Sequence, residues 1–209
     1  ASRETQPAQS RGAAAPRGVV GNRAFAQLVA RKEAARKPRP AKVKRLEKPP
    51  GSEVWAAYDP VKYPPPEGTD WWKGVGRDEV WRIVGGGVGQ RQGAASGDSC
   101  AARVSIALNA TQPITERGDH IYPNAGERII VSSIYLETYL RQRWGTPTKV
   151  VKTNEEALEF ANTLADDEVA VFATRAHAGL MRNWDRGDYR DPYIFSNPKM
   201  VPASIWKLP

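Results

Sequence analysis

The sequence predicts a single α+β domain behind a basic, disordered tail. Three observations carry this reading. Charge is segregated: residues 1–50 hold thirteen Lys or Arg against three acids, a net of +10, whereas residues 51–209 hold eighteen against twenty, a net of −2. All seven Trp, all seven Tyr and the single Cys follow residue 50, so the core-forming residues do too. Segments of helical period come first and strand-like runs cluster late, which fits separate helices and strands rather than alternating βαβ units. The chain therefore divides into a tail, 1–50, and a folded domain, 51–209.

Composition narrows the class further. The whole chain is 40% hydrophobic and 26% charged over 209 residues, enough for one domain with a core. No run approaches ~18 uninterrupted apolar residues, so no transmembrane helix is predicted. Ala1 to Ala15 are polar, and no Sec-type signal peptide is expected. One Cys excludes an internal disulfide, and two His beside it leave too few ligands for a structural zinc site. The overall charge of +8 would suit an anionic partner, but it belongs to the tail. That tail lacks interleaved aromatics for base stacking, which weakens a nucleic-acid reading.

The elements follow in chain order. Residues 51–75, rich in Pro and Trp, predict an irregular aromatic-packed segment. Glu79–Val84 predicts a strand or helical turn, and the glycines from Gly85 to Gly93 a flexible loop without the Gly-Lys-Ser/Thr ending of a phosphate loop. Ala101, Val104 and Leu108 recur at i, i+3, i+7, which predicts a helix opening at Cys100 and capped by Asp98 or Ser99. Residues 111–130 predict a polar loop carrying His120. Ser132 or Ser133 caps a second helix that buries Ile134, Leu136, Tyr139, Leu140 and Trp144 and stops at Gly145. Lys149–Lys152 predicts a strand, and Asn154 caps a third helix. Glu168–Thr174 and His177–Met181 predict paired strands, with Tyr193–Phe195 and Val201–Trp206 as edge strands.

The chemistry concentrates at Cys100. In the first turn of a helix, unpaired N–H groups and the macrodipole favour thiolate over thiol and can hold an oxyanion. The small polar lead-in, Ser96-Gly97-Asp98-Ser99, turns the sulfur toward a cleft. A thiolate nucleophile needs a base, and His177 on a strand is a more rigid mount than His120 in a loop. The base in turn needs an acceptor. Asp185, Asp188 and Asp191 all follow His177; Gly187 permits a turn that brings back Asp188 first, with Asp185 second. Asp191, before Pro192, is biased to an extended conformation and ranks third. Arg103 and Asn109 are further candidates for the cleft.

The run Cys100-Ala101-Ala102-Arg103-Val104-Ser105-Ile106-Ala107-Leu108-Asn109 resembles the nucleophile helix of type VI secretion amidase effectors, specifically their fourth family. Tyr139-Leu140 to Gly145-Thr146-Pro147 resembles a second segment of that family. The resemblance implies a papain-like, NlpC/P60-type cysteine hydrolase that cuts the D-glutamyl–meso-diaminopimelate bond of the peptidoglycan stem peptide. It implies Cys100 and His177 as catalytic residues and, eleven residues after the His, Asp188. No metal or organic cofactor is implied, and an immunity protein is an expected partner. The chain departs from the family after the His, where His177-Ala178-Gly179-Leu180-Met181-Arg182 stands, so Asp185 stays open as the third residue.

In the tail, Val19-Val20-Gly21-Asn22-Arg23-Ala24-Phe25 to Leu28 resembles a motif near the N-termini of cargo toxins of extracellular contractile injection systems. This implies a loading segment and delivery by injection into the periplasm or cell wall of a target bacterium. Two other readings use the same residues differently: a papain-like protease, deamidase or transglutaminase acting on host proteins, and a non-enzymatic module with a basic nucleic-acid-binding arm.

Overall fold

A computed structural model describes residues 44–64, 74–95, 97–124, 126–183, 191 and 193–209. The expected disordered tail over 1–43, Asp185 and Asp188 lie outside the described residues. Within them the domain is mixed helix and sheet, as the sequence predicts. Helices α1 (Gly51–Tyr58), α2 (Arg77–Val84), α3 (Gly86–Ala94) and α4 (Cys100–Thr111) precede a hairpin, β1 (Ile121–Asn124) and β2 (Glu127–Ile130). Then follow α5 (Ser133–Trp144), β3 (Lys149–Val151), α6 (Asn154–Asn162), β4 (Ala170–Thr174), β5 (Ala178–Met181), the single turn α7 (Tyr193–Ser196) and β6 (Ala203–Lys207). No described helix is long and apolar enough to cross a membrane.

The main sheet is antiparallel throughout, in the order β3-β6-β4-β5. β4 is buried along its whole length because helices cover both faces. Alternate residues divide between two cores. Val171, Ala173, Ala178, Leu180 and Trp206 face α1, α4 and α5. Ala170, Phe172, Met181 and Ile205 face α6 and Ile194 of α7. A third cluster packs Val80, Trp81, Val84 and Val88 of the α2–α3 pair on Ala102 of α4 and Ile129 of β2. Nine of the twelve residues of α4 are buried, so this helix is the axis of the domain and lacks a polar face.

Several expectations change here. The 51–75 segment opens as helix α1, whose first N–H, at Gly51, donates to the Pro209 carbonyl at 2.7 Å, so the residues after β6 fix its start. The Gly85–Gly93 loop is helix α3. Its weak propensity is offset by contact: a Cβ at Gly89 would clash with the Trp81 carbonyl, so glycine lets α3 lie directly on α2. The 111–130 loop contains the β1–β2 hairpin. Ile134 is exposed, whereas Leu136, Tyr139, Leu140 and Trp144 are buried as predicted. Tyr193–Phe195 lies in a helical turn rather than an edge strand, and β6 sits between β3 and β4, not at an edge.

Residues 44–50, assigned by charge to the tail, lie against the domain. Leu46 N–H donates to the Arg143 carbonyl at 2.8 Å, and Arg143 Nη1 donates to the Lys44 carbonyl at 2.9 Å. Gln112, just past the C-terminal end of α4, donates to the Glu47 carbonyl at 2.7 Å. This basic stretch docks through its backbone and through Lys48, whose Nζ donates to the Lys207 carbonyl at 2.8 Å.

Candidate active site

Cys100 is the first residue of α4 and is buried. Ser99 occupies the cap position but makes no side-chain capping bond. The Cys100 N–H instead donates to Asp98 Oδ1 at 3.3 Å, a long bond that an incoming oxyanion can replace. Cys100 Sγ, a ring nitrogen of His177 and a carboxylate oxygen of Asp98 lie within 4.8 Å of one another.

His177 is held by the tight turn between β4 and β5. Its N–H donates to Thr174 Oγ1 at 2.8 Å, and Thr174 N–H donates back to the His177 carbonyl at 2.8 Å. These two bonds fix the ring's origin, and the residue is buried, its ring against those of Tyr63 and Phe172. Its Nε2 faces both carboxylate oxygens of Asp191, at 2.8 and 3.0 Å. Nδ1 is therefore the nitrogen left for Cys100. Burial opposes a charge on His177, but the Asp191 carboxylate and hydrogen bonds to Asp191 and Cys100 outweigh it, and its pKa is pushed up to about 10. An imidazole whose charged form is favoured, beside a sulfur, is an arrangement that can serve nucleophilic catalysis.

The sequence ranked Asp191 third behind Asp188 and Asp185. Those two lie outside the described residues, while Asp191 lies against His177 Nε2. Two features put it there. Ile194, three residues on, is fully buried in the core beside α6, and Asn154 Nδ2 donates to its carbonyl, so the chain after 191 is pulled onto the sheet. Gly179, on the strand two residues past His177, leaves the space: a Cβ there would collide with Asp191 Oδ2 and lie 2.8 Å from Cγ. The glycine two residues after the histidine, on the same side of a strand, is the one sequence signal that could have found this acid.

Arg103 and Asn109 act on the framework. Arg103 is buried one turn below Cys100. It donates from Nε to Ser99 Oγ at 3.1 Å and from Nη1 to the carbonyls of Val61 and Lys62, and its guanidinium lies 3.9 Å from the centre of the Tyr63 ring. The Tyr63 ring stands 5.3 Å from that of His177. Arg103 thus fixes the aromatic wall of the cleft through charge, backbone and ring together. Burial, then the nearby Asp191 carboxylate and Cys100 sulfur, keep the Tyr63 hydroxyl protonated well above its usual range. Asn109 bridges the Ile114 N–H and the Arg128 carbonyl, both at 2.8 Å, and Ser105 Oγ accepts from the Ile130 N–H at 3.1 Å. The polar residues of the cysteine helix therefore bolt it to its neighbours. Tyr63 escaped sequence reasoning because nothing in its Pro-rich surroundings distinguishes a cleft wall from a core aromatic.

A cavity of about 260 Å³ opens beside the dyad, lined by Tyr63, Asp98, His177, Asn197 and Met200. His120 is elsewhere, its ring against that of Tyr135 at 4.3 Å. Among the described residues, Asp98, Cys100 and His177 are the one group of three side chains close enough to share a metal ion.

Solved structures share this arrangement of elements. The type VI effector Tae4 from Enterobacter cloacae superposes with a TM-score of 0.58 at 17% identity, over 78% of this chain and 100% of that one. The chain has the Tae4 fold. Tae4 of the effector–immunity system Tae4/Tai4 from Salmonella typhimurium gives 0.55 at 22% identity, again over 78% and 100%. The Tae4 of the Enterobacter cloacae Tae4–Tai4 complex gives 0.57 at 18%, over 78% and 99%. No protein-family model matches the chain, and no curated protein matches it.

Proposed function

We propose that this chain is an antibacterial toxin, a cysteine amidase that hydrolyses the peptide stem of peptidoglycan at the D-glutamyl–meso-diaminopimelate bond. The observation that carries the reading is the line Cys100–His177–Asp191: a sulfur at a helix start, a buried imidazole beside it, and a buried carboxylate on the far ring nitrogen. The Tae4 fold and the Tae4-like cysteine helix supply the substrate class. A papain-like, NlpC/P60-type relation fits a helix-borne Cys facing a His on an antiparallel sheet.

In this mechanism the Cys100 thiolate attacks the stem-peptide carbonyl carbon. The oxyanion that forms takes the Cys100 N–H from Asp98. His177 gives its Nδ1 proton to the leaving amine, and the C–N bond breaks to leave a thioester. The now neutral imidazole removes a proton from water, which attacks the thioester and releases Cys100. Asp191 keeps the ring in register and stabilises its charged form at both stages. The known effectors pair with an immunity protein, Tai4, so a cognate immunity protein is the expected partner. Delivery, by a type VI or other contractile injection system, falls to the tail.

Digestion of purified sacculi followed by mass spectrometry tests the reading. New termini at the D-glutamyl–diaminopimelate bond, absent with Cys100→Ala, are expected. Intact stems with a folded wild-type protein would overturn it.

A further inference from the structure

We propose that Asp98, Cys100 and His177 bind a single zinc ion, and that this ion switches the hydrolase off by occupying its nucleophile. Three observations point there together. The first is the donor set: one oxygen, one sulfur and one nitrogen within 4.8 Å of one another. Four-coordinate zinc holds such ligands at about 2.0–2.3 Å. Its donors then stand somewhat under 4 Å apart, so a small swing of the exposed Asp98 carboxylate completes three corners of a tetrahedron. Sulfur and imidazole also select zinc over magnesium or calcium, which prefer all-oxygen cages.

The second observation is behind the ring. Metal-binding histidines characteristically donate their other N–H to a carboxylate, which fixes the tautomer and strengthens the ligand. His177 Nε2 already sits on the fully buried carboxylate of Asp191, at 2.8 and 3.0 Å. A neutral ring donating from Nε2 presents the Nδ1 lone pair toward the sulfur. The third is the cavity of about 260 Å³ lined by Tyr63, Asp98, His177, Asn197 and Met200, which gives a fourth, water-held position direct access to solvent.

The zinc ion takes the place of the proton held between sulfur and ring. Both electron pairs that the hydrolysis needs, on Sγ and on Nδ1, are then committed to the metal. The zinc-loaded protein neither attacks a carbonyl nor reacts with an alkylating agent, and a chelator restores both properties.

The test uses the full chain with Co2+ as a spectroscopic probe and Zn2+ as competitor. One equivalent of Co2+ is expected to produce a thiolate-to-cobalt charge-transfer band with tetrahedral visible bands, both erased by one equivalent of Zn2+. Cys100→Ser should abolish the band. Asp191→Asn should weaken Co2+ binding by about 10- to 100-fold, the range for loss of an outer carboxylate. Asp98→Asn should weaken it by about tenfold or more, since a carboxylate ligand is lost outright. At a Zn2+ concentration about ten times its dissociation constant, iodoacetamide labelling of Cys100 should slow about tenfold. A missing charge-transfer band, or a band whose affinity is unmoved by both Asp98→Asn and His177→Gln, would overturn the site. Sacculus hydrolysis undiminished by saturating Zn2+ would overturn the switch. The spectra need no turnover, so a normal band from a protein that cleaves no sacculi would count against the amidase reading and leave the zinc site standing.

Discussion

Replacing Asp191 tests the site most directly, because two substitutions separate its charge from its shape. Asp191→Asn keeps an acceptor of nearly the same size opposite His177 Nε2 and removes the charge. Asp191→Ala removes the acceptor as well. The rise of the His177 pKa from 6.5 to about 10 corresponds to roughly 5 kcal/mol in favour of the charged ring. That gain is shared between Asp191 and Cys100 and is net of the opposing cost of burial. If Asp191 supplies about half of it, losing the charge costs roughly 2.5 kcal/mol, near 10²-fold in kcat/KM. Asp191→Ala also frees the ring to turn, and about 10³- to 10⁴-fold is expected by analogy with loss of a triad carboxylate. The assay is release of new amino termini from sacculi across pH. Wild-type activity should fall as pH rises through about 10, where the imidazolium loses its proton, and in Asp191→Asn that fall should begin at lower pH. Near wild-type turnover in Asp191→Ala, with a crippled Asp188→Asn, would refute the assignment drawn from the 2.8 Å contact.

Cys100→Ala should abolish cleavage without lowering Tm, and His177→Ala should be nearly as severe, because such residues act as a unit; His120→Ala should be mild, its ring lying against Tyr135 rather than in the cleft. Stability should decline as pH rises from about 6.5 to about 10: over that window the folded protein retains the His177 proton that the unfolded chain releases, so raising pH favours unfolding. Chemical denaturation at several pH values reads this slope, and Asp191→Asn should flatten it. Gly179→Ala should push the Asp191 carboxylate aside and lower kcat with little change in KM; unchanged kcat and pH profile would show that the glycine has no part in placing the acid. Deleting residues 1–43 should spare digestion of isolated sacculi and impair delivery between cells, whereas a folded truncation that cannot cut sacculi would assign the tail to the site.

Elements whose own residues settle their conformation were legible. α4, α5, α6, β3 and the β4–β5 pair follow their apolar pattern, although the caps differ: Ser99 and Ser132 make no side-chain capping bond, and Thr153 rather than Asn154 caps α6, its Oγ1 accepting from the Glu156 N–H at 3.2 Å. The elements that differ are those decided by distant partners. α1 starts where Gly51 meets the Pro209 carbonyl, and α3 is a glycine-rich helix because Gly89 must lie on the Trp81 backbone. β6 reads like an edge strand by composition, yet it is inserted between β3 and β4. No local pattern states strand order when the strands are joined through long connections.

The same distinction explains the site. Cys100 at a helix start and His177 at the border of a strong strand are local arrangements, and the structure brings their side chains together. Asp191 was ranked low on a local argument, that a residue before proline runs extended and onward. The structure sets the Asp191 carboxylate against His177 Nε2. Direction was set by Ile194, which must reach the core beside α6, and by the vacancy above Gly179 on the neighbouring strand. An acid fourteen residues from the histidine in sequence is thus brought to 2.8 Å by an apolar anchor and a missing methyl. Neither is a catalytic residue. A buried carboxylate costs several kcal/mol unless it is matched by a cation and hydrogen bonds, and His177 is the group that matches it. The acid is therefore best sought where an adjoining hydrophobic residue forces the chain inward and a small residue on the histidine's own strand face leaves room, rather than at the nearest turn.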